Sequence, residues 1–354
     1  MFKVEYNVIG VMSGTSLDGI DLVYAKFTFT NAWSFDILCS ETMPYNEHWV
    51  NTLRTLVEKT PEALKQIDEV YTEYLSLSIK KFIEFNTINQ VDAICSHGHT
   101  ALHQPEIGVT YQIGNMPLLS KLLKQTVVCD FRVQDVALGG QGAPLVPIGD
   151  KLLFAEYDFC LNLGGFANIS LEIHNERIAY DICAVNIVLN HYTNLLGFSY
   201  DDEGAIALSG TVNQNMLAQL NKLDFYDLSH PKSLGLEWVK SEVIPLIDAF
   251  KLEIKDILCT FCEHIAIQIS KEINKKQNAL VLVTGGGVYN TYLISRLKVY
   301  CNNEIKIPEN KVVEFKEALI FAFLGILKLR NEVNCLKSVT GASKNHASGI
   351  VFRP

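Results

Sequence analysis

The sequence predicts an α/β protein made of two similar domains. A chain of 354 residues is too long for one typical core and fits two domains or one large α/β unit. Residues 8–27 and 159–173 each have the pattern of a β-strand, a glycine-containing turn and a returning strand, with helical patterns between and after them. This repetition favours two α/β domains, residues 1–140 and 141–354, whose turns face a shared cleft.

The composition is ordinary for a globular protein and excludes several classes. Hydrophobic residues make up 48% of the chain and charged residues 19%, and no apolar run approaches the ~18 residues of a membrane span. The net charge of −9 argues against nucleic acid as the main partner, because phosphate neutralisation needs clustered Lys and Arg. The N-terminus lacks the apolar segment of a signal peptide, so we expect a cytoplasmic protein.

The nine cysteines are an odd number, which favours reduced thiols over a disulfide framework. Cys259 and Cys262 have the spacing of a zinc pair, but they lie in a helical pattern and the sequence offers no second pair. Two ordinary helix residues are therefore favoured over a zinc site.

The turn of the first hairpin carries glycines, hydroxyls and carboxylates, namely Ser13, Gly14, Thr15, Ser16, Asp18, Gly19 and Asp21. The glycines would allow positive φ and let backbone N–H groups approach an anion, and the hydroxyls would add donors. The carboxylates could hold the water shell of Mg²⁺. The turn therefore suits phosphate, and an ordinary hairpin with a hydroxyl-rich loop is the alternative.

Residues 61–86 predict a long helix, and a strand at 91–95 follows it. That strand delivers His97, His99 and His103 onto what we expect to be an irregular turn. A metal site and a polar loop at the carboxyl edge of a sheet both stay open, and the glycine between the histidines favours the loop.

Later turns offer further candidates. A strand at 126–129 leads to Arg132, and residues 139–147 form a glycine- and proline-rich loop where we expect the domain boundary. Asp181 is predicted to end another strand, where its carboxylate could accept a proton or cap the next helix. Residues 285–287 are three glycines after a strand, and they would let a flat ring lie against the backbone.

The three strand-and-turn segments together resemble the actin-like ATPase superfamily of sugar kinases, actin and Hsp70-type chaperones, in which two phosphate hairpins precede an adenosine turn. Longer motifs resemble one family within it, the anhydro-N-acetylmuramic acid kinases. These motifs lie at residues 10–21, 96–100, 130–132, 139–147, 162–169, 285–290, 317–322 and 339–342. The resemblance covers essentially the whole chain and implies two actin-like ATPase domains of the ribonuclease H-like type.

The resemblance implies an enzyme of cell-wall recycling. It would use ATP, Mg²⁺ and water to open 1,6-anhydro-N-acetylmuramic acid and phosphorylate O6, giving N-acetylmuramic acid 6-phosphate. Other functions stay open: another phosphotransferase or a phosphatase of the same fold, such as an exopolyphosphatase, an ATP-driven chaperone or filament protein, and a sugar-sensing regulator. The regulator would normally add a DNA-binding helix-turn-helix, for which we expect no room before the first hairpin. The sequence does not decide between a monomer and a homodimer.

The resemblance also assigns roles to residues. Asp181 is the general base, and of the family's Asp-Thr-Gly-Pro-Gly-Asn motif only Asp181 and Asn186 are present. Arg132 is our candidate partner for the lactyl carboxylate of the sugar, and a structural salt bridge is the alternative. The remaining assignments are substrate binding by Asn168 and Glu317, Mg²⁺ binding by Asp18, and nucleotide binding by Gly14, Thr15, Ser16, Leu17, Asp18, Gly19, Ile20, Asp21, Gly164, Gly165, Gly285, Gly286 and Gly287.

Overall fold

The computed structural model describes residues 3–14 and 16–354. The chain divides into two compact units. Unit 1 comprises the chain up to Leu153 together with Phe315–Pro354, and unit 2 comprises Phe154–Glu314.

The strands are β1 (Glu5–Ser13), β2 (Gly19–Phe29), β3 (Trp33–Pro44), β4 (Ala93–Gln104), β5 (Val109–Ile113), β6 (Val127–Cys129), β7 (Phe159–Leu163), β8 (Phe166–Ile173), β9 (Glu176–Ala184), β10 (Leu280–Thr284), β11 (Glu304–Lys306) and β12 (Ile350–Phe352). They form two sheets. Unit 1 has the order β12-β6-β4-β1-β2-β3, with β5 paired to β4, and unit 2 has the order β11-β10-β7-β8-β9. The predicted α/β class with two sheet-based units is confirmed.

The α-helices are α1 (Glu47–Arg54), α2 (Pro61–Phe85), α3 (Pro117–Leu123), α4 (Val133–Ala137), α5 (Pro147–Leu153), α6 (Asn186–Asn194), α7 (Ala205–Leu208), α8 (Gln214–Leu220), α9 (Leu236–Trp238), α10 (Ile244–Asp248), α11 (Ile254–Ile273), α12 (Thr291–Tyr300), α13 (Asn310–Leu329) and α14 (Lys337–Thr340). Short 3₁₀ turns lie at Leu56–Glu58, Pro105–Ile107, Asp202–Gly204, Asp224–Asp227 and Gly286–Tyr289, and a π-helical turn lies at Val239–Val243. Over residues 3–14 and 16–354, no helix is both long enough and apolar enough to cross a membrane.

The parallel strands of each unit bring several turns to one sheet edge. In unit 1, β1 is parallel to β4 and β4 to β6. In unit 2, β10 is parallel to both β7 and β11. Carboxyl ends of parallel strands meet at the same edge, where open α/β sheets bind ligands.

Both predicted hairpins are confirmed. β1 and β2 pair antiparallel from Glu5 with Thr28 to Ser13 with Ile20. β7 and β8 pair antiparallel in the same way around the turn at residues 164 and 165.

The chain returns to unit 1 at its C-terminus, so the observed division differs from the predicted one at residue 140. β12 pairs antiparallel with β6, which joins the last strand to the first sheet. Helix α13 packs directly on that sheet. The packing is closest at Gly10 of β1, where an added Cβ would lie only 2.0 Å from the Ala318 carbonyl oxygen. These contacts join segments that are far apart in the chain.

Two strands run further than expected. β4 continues to Gln104, so the expected irregular turn after residue 95 is wrong and His97, His99 and His103 lie in a strand. Gly98 takes a φ of +73° where the pairing with β1 shifts register, and β5 pairs with the extended part. β9 continues to Ala184 because β8 pairs with it that far, so Asp181 lies inside a strand and not at its end.

Candidate functional site

The turn between β1 and β2 differs in detail from the expectation. Thr15 lies outside the described residues. The described residue with a left-handed backbone is Leu17, with a φ of +61°, and neither Gly14 nor Gly19 has a positive φ. A Cβ added to Gly14 would lie 3.4 Å from Ser16 Oγ, an ordinary contact. Glycine at position 14 therefore leaves the backbone open to an approaching ligand and does not relieve strain.

Asp18 is exposed and folds back onto this turn. Its Oδ1 accepts hydrogen bonds from Ser16 Oγ at 2.6 Å and from the Gly19 N–H at 3.1 Å. Its backbone carbonyl accepts from the Tyr45 N–H at 3.3 Å. An exposed carboxylate held by hydrogen bonds is a suitable oxygen ligand for a hard cation such as Mg²⁺.

The last three residues assigned to nucleotide binding in this segment belong to β2 itself. A Cβ on Gly19 would lie 2.5 Å from the Met43 carbonyl oxygen, so glycine here allows β3 to pack closely. Ile20 is fully buried, and Asp21 accepts a hydrogen bond from Thr42 Oγ1 at 2.6 Å.

Ser13 belongs to a buried polar network behind the turn. Its Oγ lies 2.8 Å from His99 Nδ1 and 2.6 Å from the Tyr45 hydroxyl, which in turn lies 2.6 Å from the Tyr71 hydroxyl. Burial lowers the pKa of His99 to about 4, so its ring is neutral at physiological pH. The network connects the base of the turn to β4, to α2 and to the residue that follows β3.

Arg132 is held in unit 1 by a histidine and a carbonyl. Its Nε donates to His97 Nε2 at 2.8 Å, and its Nη1 donates to the Gly142 carbonyl oxygen at 2.6 Å. Because His97 Nδ1 faces the Gly98 carbonyl at 2.9 Å, this neutral ring carries its proton on Nδ1 and presents Nε2 as the acceptor. Burial lowers the pKa of Arg132 to about 10, so the guanidinium stays charged at neutral pH.

Glu317 on α13 is the acidic partner in this region. Its side chain keeps some contact with solvent. The surrounding protein still removes much of the water from the carboxylate and so raises its pKa, and the positive charges of Arg132 and Lys316 oppose this shift. Lys316 itself is paired with Asp150 at 2.6 Å. The structure therefore brings the two substrate candidates of unit 1, Arg132 and Glu317, into electrostatic contact.

Two glycine turns meet in unit 2, at the carboxyl ends of β7 and β10. A Cβ on Gly285 would lie 2.5 Å from Asn162 Oδ1, and a Cβ on Gly287 would lie 2.7 Å from Leu163 Cβ. A Cβ on Gly286 would have no atom within 4 Å among the residues that the structure describes. The outer two glycines thus allow close packing against β7, and the middle one faces open space.

The turn at Gly164 and Gly165 lies beside them. Its two carbonyls accept hydrogen bonds from the first backbone N–H groups of α6, at 3.3 Å each from Asn186 and Ile187. Gly165 is exposed, and the nearest described atom to an added Cβ is Ile187 Cβ at 3.9 Å. There is therefore space for a ligand beside this turn, as there is beside Gly286 in the neighbouring turn.

Asp181 is half-buried within β9 and held by a segment of distant sequence. Its Oδ2 accepts a hydrogen bond from the Leu234 N–H at 2.8 Å, and its own N–H donates to the Lys232 carbonyl at 3.1 Å. Burial raises its pKa, and the bond from Leu234 opposes the shift. Asn168 of β8 is its cross-strand partner, so the two polar side chains emerge on the same face of the sheet.

Sequence reasoning missed the residues that hold these candidates. His97 orients Arg132, and the backbone of Lys232 and Leu234 orients Asp181, across sequence separations that no local pattern reveals. The histidines do not form one site, since His97 contacts Arg132, His99 contacts Ser13 and His103 contacts Thr110.

The family model and the similar sequences identify the same family. The family model described as anhydro-N-acetylmuramic acid kinase matches residues 6–354. The anhydro-N-acetylmuramic acid kinase of Sulfurimonas denitrificans is 33% identical, covering 97% of this chain and 98% of that protein. The protein of that name from Haemophilus influenzae is 32% identical, covering 99% of this chain and 98% of its own.

A solved ROK family glucokinase from Streptomyces griseus, in complex with glucose and AMPPNP, covers 90% of this chain and 99% of its own, with 11% identity and a TM-score of 0.44. The family assignment rests on the sequence matches, which extend over nearly the whole chain. The chain therefore belongs to the anhydro-N-acetylmuramic acid kinase family.

Proposed function

We propose that the protein phosphorylates 1,6-anhydro-N-acetylmuramic acid at O6 with ATP while water opens the anhydro ring, giving N-acetylmuramic acid 6-phosphate and ADP. The observation that carries this proposal is the family match over residues 6–354. A role in cell-wall recycling in the cytoplasm follows from the same resemblance.

The nucleotide would bind at the glycine turns. Support comes from the hydrogen bonds that Asp18 accepts from Ser16 and Gly19 in unit 1 and from the two turns that meet at the ends of β7 and β10 in unit 2. Backbone N–H groups of such turns bind phosphate. Gly286, which faces open space, would lie against the adenosine, and Gly164 and Gly165 would lie near phosphate. Asp18 would hold Mg²⁺, whose charge offsets that of the phosphates when it is bound.

Asp181 would act as the general base. It would take a proton from the water that attacks C1, the C1–O6 bond would break, and the released O6 would attack the γ-phosphorus. Support comes from its position beside Asn168, from the hydrogen bond that orients it and from the raised pKa, which makes it a better proton acceptor than an exposed aspartate. Arg132 would bind the lactyl carboxylate, because its planar fork suits carboxylates, with Glu317 and Asn168 as further substrate contacts.

Product analysis tests the proposal. Incubation of the protein with ATP, Mg²⁺ and the anhydro sugar in ¹⁸O-water should give a phosphorylated sugar with the label at C1 and none in the phosphoryl group. A reaction without sugar is the control for ATP hydrolysis. Label in the phosphate would mean that water attacks phosphorus, as in a phosphatase, and would contradict the proposal.

A further inference from the structure

Three potential metal ligands meet in unit 1, away from the turns described above. They are Asp135 on α4, Cys335 and His346, and all three are buried. One donor atom from each lies within 4.8 Å of the others. Cys335 and His346 are direct partners in an isolated antiparallel bridge, with backbone hydrogen bonds of 3.1 and 3.2 Å. The backbone therefore holds these two side chains next to each other without any ligand.

The histidine is oriented as a ligand. His346 Nδ1 lies 3.1 Å from the Lys344 carbonyl oxygen, which can only accept, so in the neutral ring the proton sits on Nδ1. The lone pair on Nε2 then points inward. This atom is buried, makes no hydrogen bond to a described residue and lies 3.6 Å from Asp135 Oδ1. Two electron-rich atoms that face each other in a buried site are stabilised by a shared cation.

The donor set matches zinc. Cys sulfur, His nitrogen and Asp oxygen are the ligands that Zn²⁺ takes at about 2.0–2.3 Å, which places them roughly 3.3–3.8 Å apart around a tetrahedral ion. The distance from His346 Nε2 to Asp135 Oδ1 is already in that range, and Cys335 Sγ lies 2.9 Å from the same oxygen. We propose that Asp135, Cys335 and His346 form a binding site for a zinc ion and supply three of its four ligands.

The charges balance in this arrangement. On binding, the thiol of Cys335, which now donates to Asp135, loses its proton to solvent, and the thiolate and the carboxylate together neutralise the dication. His346 contributes the lone pair on Nε2. A buried, neutral cluster results, which is the form in which charged groups are tolerated in a protein interior.

Surrounding groups would support the ligands and connect them to the glycine-rich loop. Thr340 Oγ1 donates to Asp135 Oδ1 at 2.8 Å, and the Gly142 N–H donates to Asp135 Oδ2 at 2.7 Å. The Gln141 N–H donates to the Thr340 carbonyl at 2.8 Å. Such outer hydrogen bonds orient ligands in known zinc sites. The ion would therefore join the C-terminal segment to the loop whose Gly142 carbonyl holds Arg132.

Metal analysis of the tag-free 354-residue chain tests the site. After incubation with Zn²⁺ and gel filtration, elemental analysis should find about one zinc per chain. The Cys335→Ser and His346→Gln variants should each bind zinc at least about tenfold more weakly. Cys39→Ser, which changes a half-buried cysteine in β3, is the matched control and should bind as the original chain does.

Spectroscopy of the unmodified chain keeps the test independent of variant folding. Co²⁺ in place of Zn²⁺ should give a thiolate-to-cobalt charge-transfer band, and the X-ray absorption spectrum of the zinc form should show one sulfur ligand. Absence of bound zinc, absence of the thiolate band, or equal zinc binding by Cys335→Ser would overturn the proposal. The cluster would then be a purely structural contact between the C-terminal segment and α4.

Discussion

The Asp181→Asn variant tests the proposed base with little change in structure. The amide oxygen can accept the hydrogen bond that the Leu234 N–H now donates to Oδ2 at 2.8 Å, and the bond from the Asp181 N–H to Lys232 is unaffected. Only the ability to accept a proton is lost. A positioned base contributes roughly 10²–10⁴-fold, so the turnover rate should fall by that factor, which corresponds to about 3–5 kcal/mol in the activation free energy.

The raised pKa of Asp181 also predicts the direction in which activity depends on pH. Burial raises the pKa of Asp181, so the ionised base should be lost as the pH falls through a value above that of an ordinary aspartate. In the plot of kcat/KM against pH, the acidic limb should therefore lie at a higher pH than an ordinary aspartate would give, and it should disappear in Asp181→Asn. Stability should not fall in this variant at neutral pH on account of the lost charge, because a raised pKa means that the folded state disfavours the ionised carboxylate there.

Asp158→Asn is the matched control for this variant. Asp158 lies in unit 2 and accepts a backbone hydrogen bond of the same length, 2.8 Å, from the Leu280 N–H. Burial works against its charge, but Lys276 and Leu280 outweigh that effect and lower its pKa. Its loss should reduce stability above the ordinary aspartate pKa, with this contribution fading as the pH falls, and should leave turnover per folded enzyme unchanged.

Turnover should be measured by mass spectrometry of the sugar phosphate, and binding of ATP and sugar by calorimetry. Full activity in Asp181→Asn would refute the role as base. Loss of binding together with rate would show instead that the carboxylate mainly holds the segment around Leu234 in place.

Three further variants separate packing from ligand binding. Gly10→Ala should lower the unfolding free energy, measured by urea denaturation, by about 3 kcal/mol, because the new Cβ would lie 2.0 Å from the Ala318 carbonyl oxygen, a backbone atom that cannot rotate aside. A loss under about 0.5 kcal/mol would contradict this. Gly286→Val should weaken ATP binding in calorimetry without loss of stability, because no atom of the residues that the structure describes lies within 4 Å of an added Cβ. Unchanged ATP affinity would exclude the adenosine role. Arg132→Lys should reduce the preference in kcat/KM for the muramic sugar over its lactyl-free anhydro-glucosamine analogue, because one ammonium cannot replace the contacts of a fork; an unaltered preference would argue for a structural role.

The sequence alone was sufficient for features that depend on local chemistry. Apolar segments on either side of glycine-containing turns predicted both hairpins. An apolar period with a capping Thr60 predicted α2, whose N-cap hydrogen bond from the Ala63 N–H is present at 3.3 Å. Strand, turn and helix start depend on neighbouring residues, so these features are readable without a fold. The length and number of the motifs likewise sufficed for the family, which the matches over residues 6–354 confirm.

Only the tertiary structure decided how far strands run and what surrounds each functional side chain. β4 and β9 extend because the adjacent strands β5 and β8 pair with them, and α13 returns the chain to unit 1 through its contact at Gly10. The neighbours of Arg132 and Asp181 come from sequence positions that lie far away along the chain. Burial, pairing register and hydrogen-bond partners are properties of long-range contacts, and it is these contacts, rather than local preference, that determine the pKa and orientation of a side chain.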